Sequence, residues 1–364
     1  MQKRLSLTFI SQTKACRLRA VHWLLSFVMM MGLNSQSYAV TFELSQSSLP
    51  VCVYIGSFSS DDPWQQQIES RLRERLTNHC ELRVFHLDGE SSTDAATLKA
   101  KGIEAHNFIQ MHSPSVVITS DDYAVLYVLV PFYRDHSLPF VFCGLNTTAK
   151  NYDLPFSNAT GMVEVTTLKE MVQTILQINP SFQNLVLINT PGLSSAKDAS
   201  DFHRIAHELQ LTSTVLTAKT EQEWRNHYIS AQQSDVYDII VIDELKSLPT
   251  WHPQQNLELA QKYNQKLSLT TYEPSIPYAV LGMTKRATEH ADWAAATAIE
   301  LLNGRPIQQL EVVPNTHYDL WVNGLLIEAH TQQLPNFLLK QAQKYLPVSY
   351  SHIDSSEASE ASND

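Results

Sequence analysis

The residues best suited to chemistry in this sequence are short polar runs that follow apolar, β-branched stretches. Ser120, Asp121 and Asp122 come directly after the apolar run at 116–119, and Asp243 ends another such run. A serine hydroxyl beside the free N–H groups of a helix start can hold a carboxylate, and an aspartate can pair with an ammonium group. The same residues could instead serve only their own helix, as an N-cap or as favourable charges near the helix dipole. The sequence leaves both interpretations open.

Complete catalytic motifs are absent from the sequence. It contains no Walker loop and no GxGxxG run, and the segment from Gly192 to Ser194 lacks the second glycine of a nucleophile elbow. His203 and His207 are spaced for one face of a helix, but no third metal ligand can be named beside them. We therefore expect no catalytic residue, no metal and no cofactor, and we expect that the protein is not an enzyme.

The elements that must position these residues alternate between strand and helix along the chain. Short apolar runs such as 51–56 and 116–119 are typical of buried strands, and the segments between them have helical periodicity. A second series of the same kind runs from the helix at 167–178 to the strand at 267–271. This alternation predicts parallel sheets with right-handed crossovers, and two series in tandem predict two doubly wound α/β lobes.

Residues 1–39 have the pattern of a cleaved secretory signal peptide. A basic leader without acidic residues precedes an apolar stretch from Ala20 to Leu33, and the small residues Ser37 and Ala39 follow it. The apolar stretch is shorter than the roughly 20 residues that a membrane span needs, which favours cleavage after Ala39 over a membrane anchor. We therefore expect a periplasmic protein.

The charge of the chain argues against one class of partner. The sequence has 26 Lys and Arg against 37 Asp and Glu, a formal net charge of −11, and loss of the basic leader would make it more acidic. Contacts with a phosphate backbone need clustered Lys and Arg. We therefore expect no nucleic-acid partner.

Two cysteines are placed where they could pair. Cys52 begins a predicted strand and Cys80 lies between the next helix and strand, so both fall at the same, non-ligand end of a βαβ unit. A Cys52–Cys80 disulfide is geometrically plausible in an oxidising compartment, although connectivity does not follow from sequence alone. Cys143 ends an apolar strand and is expected to be a buried thiol.

Four blocks of sequence resemble one known family. They are PSVVITSDDYAVLYVLVPFYRDHSLPFVFCGLN at 114–146, GMVEVTTLKEMVQTILQINPSFQNLVLINTP at 161–191, AAATAIELLNGRPIQQLEVVPNTHYDLWVN at 294–323 and LPNFLLKQA at 334–342. Their order resembles the ABC-transporter substrate-binding proteins of the TrpX-like family, which have the type I periplasmic-binding fold. The resemblance implies two lobes that close over a small ligand, often an aromatic amino acid or a related small metabolite, and it implies no chemistry. Family members commonly have a glycine near Asp292, where this chain has Trp293, so the identity of the ligand is not carried over.

The resemblance and the two α/β series together predict the domain organisation. Two doubly wound parallel-sheet lobes are joined by a multi-crossing hinge, after the signal peptide. The expected ranges are 40–146 for the first lobe, 147–273 for the second lobe, 274–346 for hinge crossings and closing helices that partly return to the first lobe, and 347–364 for a disordered acidic tail.

Candidate ligand-binding residues lie in the loops after the strands of both lobes, because doubly wound sheets bind ligands outside the carboxyl ends of their strands. A tyrosine face for a ligand ring, with an acid for its amine, would suit an amino acid or an amine. The candidates are Ser57, Phe58, Ser120, Asp121, Asp122, Tyr123 and Asn146 in the first lobe, and Thr190, Asp243, Glu244, Tyr272 and Glu273 in the second.

Several aromatic and acidic residues near these loops have a second interpretation. Tyr272 could equally pack in the core or support the hinge, and Trp64 could either cover the cleft or pack its helix on the sheet. Glu164 lies near the first predicted crossing, where it could belong to the hinge and not to the site.

The sequence and the resemblance together lead to one functional expectation and one alternative. We expect a monomeric periplasmic solute-binding protein that captures a small metabolite, such as an amino acid or an aromatic compound, and delivers it to an ABC permease. The alternative is a periplasmic sensing subunit that signals to a membrane kinase or cyclase, because a fold does not decide its function.

Overall fold

The computed structural model describes residues 49–89, 94–146, 149–245, 247–334 and 336–345. The predicted signal peptide and the predicted acidic tail lie outside these residues.

The first lobe is built on a six-stranded sheet with the strand order β11-β5-β4-β3-β1-β2. Its neighbouring strands pair in parallel throughout. The strands are β1 (Val51–Gly56), β2 (Glu81–His86), β3 (Val116–Ser120), β4 (Phe140–Leu145), β5 (Ala159–Val163) and, from much later in the chain, β11 (Val313–Pro314). The central strands β1, β3 and β4 are almost wholly buried, as expected for a parallel sheet covered by helices on both faces.

Helices cover the first sheet in the spaces between its strands. They are α1 (Pro63–Leu76), α2 (Ala95–His112), α3 (Asp121–Ala124) with a π-helical turn at Val125–Leu129, and α4 (Val130–Tyr133). Helix α1 begins where the sequence dictates, since the Asp62 side chain accepts a hydrogen bond from the Gln65 N–H and Pro63 occupies the first turn. Helix α9 (Ala287–Leu302) returns to this lobe, and its alanine-rich face packs against α1 and the sheet.

The second lobe is built on a seven-stranded sheet with the order β13-β12-β10-β9-β8-β6-β7. Its strands are β6 (Asn184–Asn189), β7 (Thr212–Thr217), β8 (Ile239–Ile242), β9 (Leu267–Thr270), β10 (Leu281–Lys285), β12 (Tyr318–Asn323) and β13 (Gln343–Tyr345). Its helices are α5 (Leu168–Ile178), α6 (Leu193–Glu208), α7 (Glu221–Gln233), α8 (Pro253–Tyr263) and α10 (Asn336–Gln341). All pairs are parallel except β10 with β12. This pair of mostly parallel α/β sheets confirms the predicted fold class.

Three crossings join the two lobes within the described residues. The chain passes from β5 to α5, returns from β10 to α9, and passes again from β11 to β12. The crossings bind one another, because the Asn315 side chain accepts a hydrogen bond from the Val165 N–H at 2.6 Å and the Thr167 hydroxyl donates to the Met283 carbonyl at 2.7 Å. The connection between the lobes therefore consists of three crossing segments that are hydrogen-bonded to one another.

Short strands account for most of the differences from the sequence-based elements. Strand β5 carries a glycine and belongs to the first sheet, whereas the boundary at residue 147 places that segment in the second lobe. Of the closing helices expected within 274–346, the last one, α10, ends at Gln341, and strand β13 follows it. Short edge strands have weak sequence patterns because few residues define each one.

Two further features concern the chain as a whole. Cys52 and Cys80 form a disulfide with 5.8 Å between their Cα atoms, and Cys143 is a buried free thiol. None of the helices in the described ranges is long and apolar enough to span a membrane.

Candidate functional site

A cavity of about 280 Å³ lies between the lobes, at the carboxyl ends of strands from both sheets. It is lined by six of the ligand-binding residues proposed from the sequence, by two other residues whose role was left open, and by a further group from α1, α6, β10 and the segment after β9. The proposed six are Phe58, Asp121, Asn146, Glu244, Tyr272 and Glu273; the two open ones are Trp64 and Glu164; the further ones are Pro63, Gln67, Ser194, Thr271, Pro274, Thr284 and Lys285.

The first-lobe wall is organised around Trp64 and Asp121. The indole N–H of Trp64 donates to Oδ1 of Asp121 at 3.1 Å, and the indole meets the His290 ring edge-on with 5.5 Å between centroids. Asp121 has a left-handed backbone with φ of 65°. A Cβ at Gly144 would lie 2.9 Å from Oδ1 of Asp121, so the glycine lets this carboxylate pack closely against the end of β4.

Ser57 and Ser120 lie behind this wall, although the sequence proposed both as ligand contacts. The Ser57 hydroxyl donates to the Ser120 carbonyl at 2.5 Å and accepts from the Ala124 N–H at 2.8 Å. The Ser120 hydroxyl bonds the Tyr54 hydroxyl at 2.8 Å. Ser120 makes no side-chain capping bond to its helix, so both serines hold the start of α3 in place.

Other proposed residues also lie beside the cavity without lining it. Tyr123 packs edge-on against Phe58, with 6.4 Å between ring centroids. The Thr190 hydroxyl donates to the Glu244 carbonyl at 3.0 Å, and the carbonyl of Asp243 accepts from Ser275 at 2.7 Å. These residues support the loops that carry the lining groups.

The second-lobe wall contains a group of buried acids around Tyr272. The Tyr272 hydroxyl donates to Oδ2 of Asp198 at 2.5 Å. Burial raises the pKa of Asp198 to about 7, and the charges of Glu244 and Asp201 act in the same direction. Burial, followed by the charge of Asp198, raises the pKa of Asp243 well above its usual range. Burial in this wall therefore disfavours ionisation of both aspartates.

Polar contacts between the lobes close the cavity on its open sides. Lys197 of α6 forms an ion pair with Asp122 of α3 and donates to the Tyr152 hydroxyl of the first lobe at 2.9 Å. Within the first lobe, the Tyr152 hydroxyl donates to Oδ1 of Asp122 at 2.7 Å. The Asn146 side chain also reaches the Ser194 hydroxyl at 3.5 Å. Asp122, proposed from the sequence as a ligand contact, instead joins the two lobes.

An ion pair between Glu164 and Lys285 forms the floor of the cavity at two of the crossings. Their side chains are only 4% and 7% exposed. The Lys285 ammonium also lies 4.7 Å from the centroid of the Tyr272 ring. Burial lowers the pKa of Lys285 to about 8, while the charges of Asp121 and Asp122 oppose the shift. The hinge and the site thus share the same charged pair.

Lys285 is the main site residue that sequence reasoning missed. It ends the run LGMTK, which is strand β10, and the carboxyl end of that strand would have marked it as a candidate. Among the described residues, no group of three or more His, Cys, Asp or Glu side chains is arranged to hold a metal ion.

Comparisons with known proteins give structural neighbours only. No protein-family model matches the chain, and no curated protein matches it in sequence. An ABC domain in complex with L-Trp from Streptococcus pneumonia superposes with a TM-score of 0.61 at 11% identity, covering 80% of this chain and 99% of the neighbour. This chain has the type I periplasmic-binding-protein fold.

Two other neighbours agree with this fold. A conserved domain protein from Vibrio cholerae has a TM-score of 0.62 at 14% identity and covers 82% of this chain and 99% of its own. A ligand-free, open substrate-binding protein with adhesive properties from Clostridium difficile has a TM-score of 0.61 at 10% identity, with coverage of 82% and 99%. Identities this low show the type I periplasmic-binding fold alone, and membership of the TrpX-like family stays a prediction.

Proposed function

We propose that this protein is a periplasmic solute-binding protein that captures a small metabolite between its lobes and delivers it to an ABC importer. One observation carries the proposal: an aromatic-walled cavity has lining residues from both lobes, and polar contacts across the cleft close it. A ligand that touches both lobes favours the closed state over the open one by its extra contacts.

The dimensions and composition of the cavity support a small ligand. Drug-sized ligands occupy pockets of roughly 300–1,000 Å³, and this cavity of about 280 Å³ lies just below that range. Rings of Phe58, Trp64 and Tyr272 line it together with carboxyl groups. The complex of the Streptococcus pneumonia neighbour with L-Trp is consistent with a ligand of about one ring system and a short side chain.

The polar side chains near the cavity are engaged in hydrogen bonds and ion pairs within the protein, which favours binding without turnover. The serines nearest the first-lobe wall are used inside the lobe, and the lysine at the floor is paired with a glutamate. A nucleophile would need a free attacking atom beside a general base. The proposal therefore assigns the site to capture.

The experiment is a ligand screen that measures two independent quantities. The protein is unfolded and refolded to release bound metabolites, and the melting temperature and the small-angle scattering radius are then measured with each candidate compound. A true ligand raises the melting temperature and decreases the radius of gyration, because it binds the closed state. If no compound changes either quantity, and none co-purifies with the native protein, the proposal is wrong.

The delivery step needs its own measurement. Crosslinking of the ligand-bound protein in native membranes should capture a permease with its ATPase. Capture of a membrane kinase or cyclase instead would support the sensing alternative and refute the importer role.

A further inference from the structure

We propose that Asp198 and Asp243 share one proton that holds the start of α6 against the second lobe, and that loss of this proton opens the cleft. The inference goes beyond solute capture, because it concerns how pH sets the position of the two lobes. It rests on the proposed function only for the closure of the cleft. It comes from a buried acid without a donor and from a helix that contacts both lobes.

The carboxyl group of Asp243 lies directly after β8, in the interior of the second lobe. The residue is only 3% exposed, and its Oδ2 accepts no hydrogen bond from any described residue. A buried carboxylate oxygen without a donor is strongly disfavoured, whereas a protonated carboxyl group can itself donate. Burial, followed by the charge of Asp198, raises the pKa of Asp243. Asp243 therefore holds a proton in the folded protein.

Asp198 of α6 is the acceptor for that proton. Its carboxyl group is within hydrogen-bonding range of Asp243, and its Oδ2 already accepts from the Tyr272 hydroxyl at 2.5 Å. Both aspartates line a cavity of about 10 Å³, which has room for at most one water. Water therefore cannot screen two negative charges there, and the two carboxyl groups titrate as a pair that keeps one proton.

The charged groups around the pair do not replace this proton. Lys197 is a cation that faces Asp198, but its ammonium is paired across the cleft with an acid of the first lobe. Burial, and then the charges of Glu244 and Asp201, raise the pKa of Asp198 to about 7. Lys246, which also follows β8, lies outside the described residues. Among the described residues, the facing groups are Lys197, Asp201 and its partner Arg204 on α6, Glu244 after β8, and Tyr272 after β9 with Lys285 against its ring, while the crossing before α5 contributes only the uncharged Thr166 and Leu168.

The start of α6 connects the acid pair with the first lobe. On one side of the helix, Asp198 is hydrogen-bonded to the Tyr272 hydroxyl. On the other side, the preceding residue Lys197 forms an ion pair with Asp122 of the first lobe. Ser194, one turn earlier, lies 3.5 Å from a side-chain amide of the first lobe. A shift of α6 that separates the two aspartates therefore also moves the groups that close the cleft.

The direction of the pH effect follows from the two positions of α6. With α6 in place, the pair holds a proton that an ordinary aspartate loses near pH 4. With α6 displaced, each carboxyl group is solvated and returns to that ordinary value. Low pH therefore favours the closed state, and this preference is lost as the pH rises from about 4 through the raised pKa of Asp198, about 7. For one proton, the ratio of open to closed molecules rises by up to about tenfold per pH unit in this window.

The test uses the purified protein without ligand at pH 5 and pH 8. Hydrogen exchange with mass spectrometry measures the protection of the peptide at 193–201, corrected for the pH dependence of chemical exchange, and small-angle scattering measures the radius of gyration. We expect the protection to be at least about tenfold lower at pH 8 than at pH 5, and the radius to be larger. Unchanged protection or an unchanged radius would overturn the inference.

Two variants separate the shared proton from a general effect of pH. Asp243→Asn places an amide that can donate to Asp198 at any pH, so protection and radius should no longer depend on pH. Glu208→Gln changes an acid at the end of the same helix, where hydrogen bonds from Lys169 and Arg204 lower the pKa of the glutamate, and it should keep the full pH response. An Asp243→Asn protein that responds as strongly as Glu208→Gln refutes the inference.

Carboxyl NMR on the unchanged protein removes the dependence on any variant. In a sample with carboxyl-labelled aspartate, each resonance shifts as its group ionises. One aspartate should remain protonated above pH 6, well beyond the ordinary aspartate value of about 4. If every aspartate has lost its proton by pH 6, the two residues do not share one and the inference fails.

The outcomes also separate this inference from the proposed function. If a metabolite raises the melting temperature while the radius of the free protein is the same at pH 5 and pH 8, solute capture stands and the inference is refuted. If the radius of the free protein depends on pH as expected and no metabolite binds, the inference stands and solute capture is refuted.

Discussion

Removal of Lys285 should destabilise the protein more than removal of any exposed lysine. In the Lys285→Met variant the Glu164 carboxylate would stay buried, since its side chain is only 4% exposed, without its ion-pair partner. Breaking one side of a buried pair costs about 3–5 kcal/mol. Glu164→Gln should cost less, because Asp121 and Asp122 still act on the Lys285 charge.

The double variant Glu164→Gln with Lys285→Met is the decisive measurement. It removes both charges, so it should be more stable than Lys285→Met alone, with a coupling energy of about 2 kcal/mol between the two sites. Urea unfolding at pH 7, followed by circular dichroism, gives the free energy of unfolding for each member of the cycle. The slope of that energy against urea should stay constant, so that the differences reflect the native state.

An exposed pair provides the control for this cycle. Lys101 and Glu104 lie 3.9 Å apart on α2, with side chains 39% and 59% exposed, and such pairs contribute less than about 1 kcal/mol. Lys101→Met should therefore be nearly neutral. The reasoning is refuted if Lys285→Met costs as little as this control, or if the two hinge substitutions are additive.

Three further predictions concern closure, pH and the disulfide. Lys197→Met removes the ion pair across the cleft edge and leaves the Asp122 side chain, only 2% exposed, without that partner. Ligand affinity should therefore fall by several-fold and the free energy of unfolding should fall as well; an unchanged affinity in calorimetry would contradict the closing role. Burial raises the pKa of Asp243, so above about pH 4 the folded protein holds a proton that the unfolded chain has lost, and stability should fall as the pH rises toward that raised pKa. Asp243→Asn should flatten this dependence in urea unfolding at pH 5 and pH 8, and an equal slope in both proteins would count against it. Finally, replacing Cys52 and Cys80 by alanine opens a loop with a sequence separation of 28 and should lower the free energy of unfolding by about 3–4 kcal/mol, whereas no change in the unfolding midpoint would refute this.

The sequence was sufficient to predict most regular elements because each carries a local pattern. Buried strands such as β1 and β3 have short runs rich in β-branched residues, and Asp62 and Pro63 mark the start of α1 in the sequence. Strand β11 has only two residues and β5 contains a glycine, so their patterns are weak. Strand β5 is held between β4 and β11, and β11 comes from a distant part of the chain.

The candidate site was predicted in part, and the limits have a physical cause. Strand order places the ends of β3, β8 and β9 at the cleft, and this was enough to propose Asp121, Glu244 and Tyr272. Which side of its loop a residue faces depends on partners elsewhere. The Ser120 side chain faces inward because its hydroxyl is hydrogen-bonded to the hydroxyl of Tyr54, 66 residues earlier.

The sequence alone determined the two-lobed α/β architecture and the location of a site at the strand ends. Both follow from local periodicity and from the way parallel sheets bind ligands. Tertiary structure alone decided how charge is distributed there. Glu164 and Lys285 are far apart in the chain and meet only because two crossings run side by side, and Asp122 meets Lys197 only because the lobes close. Long-range ion pairs leave no periodic signal, so the sequence alone could predict neither of them.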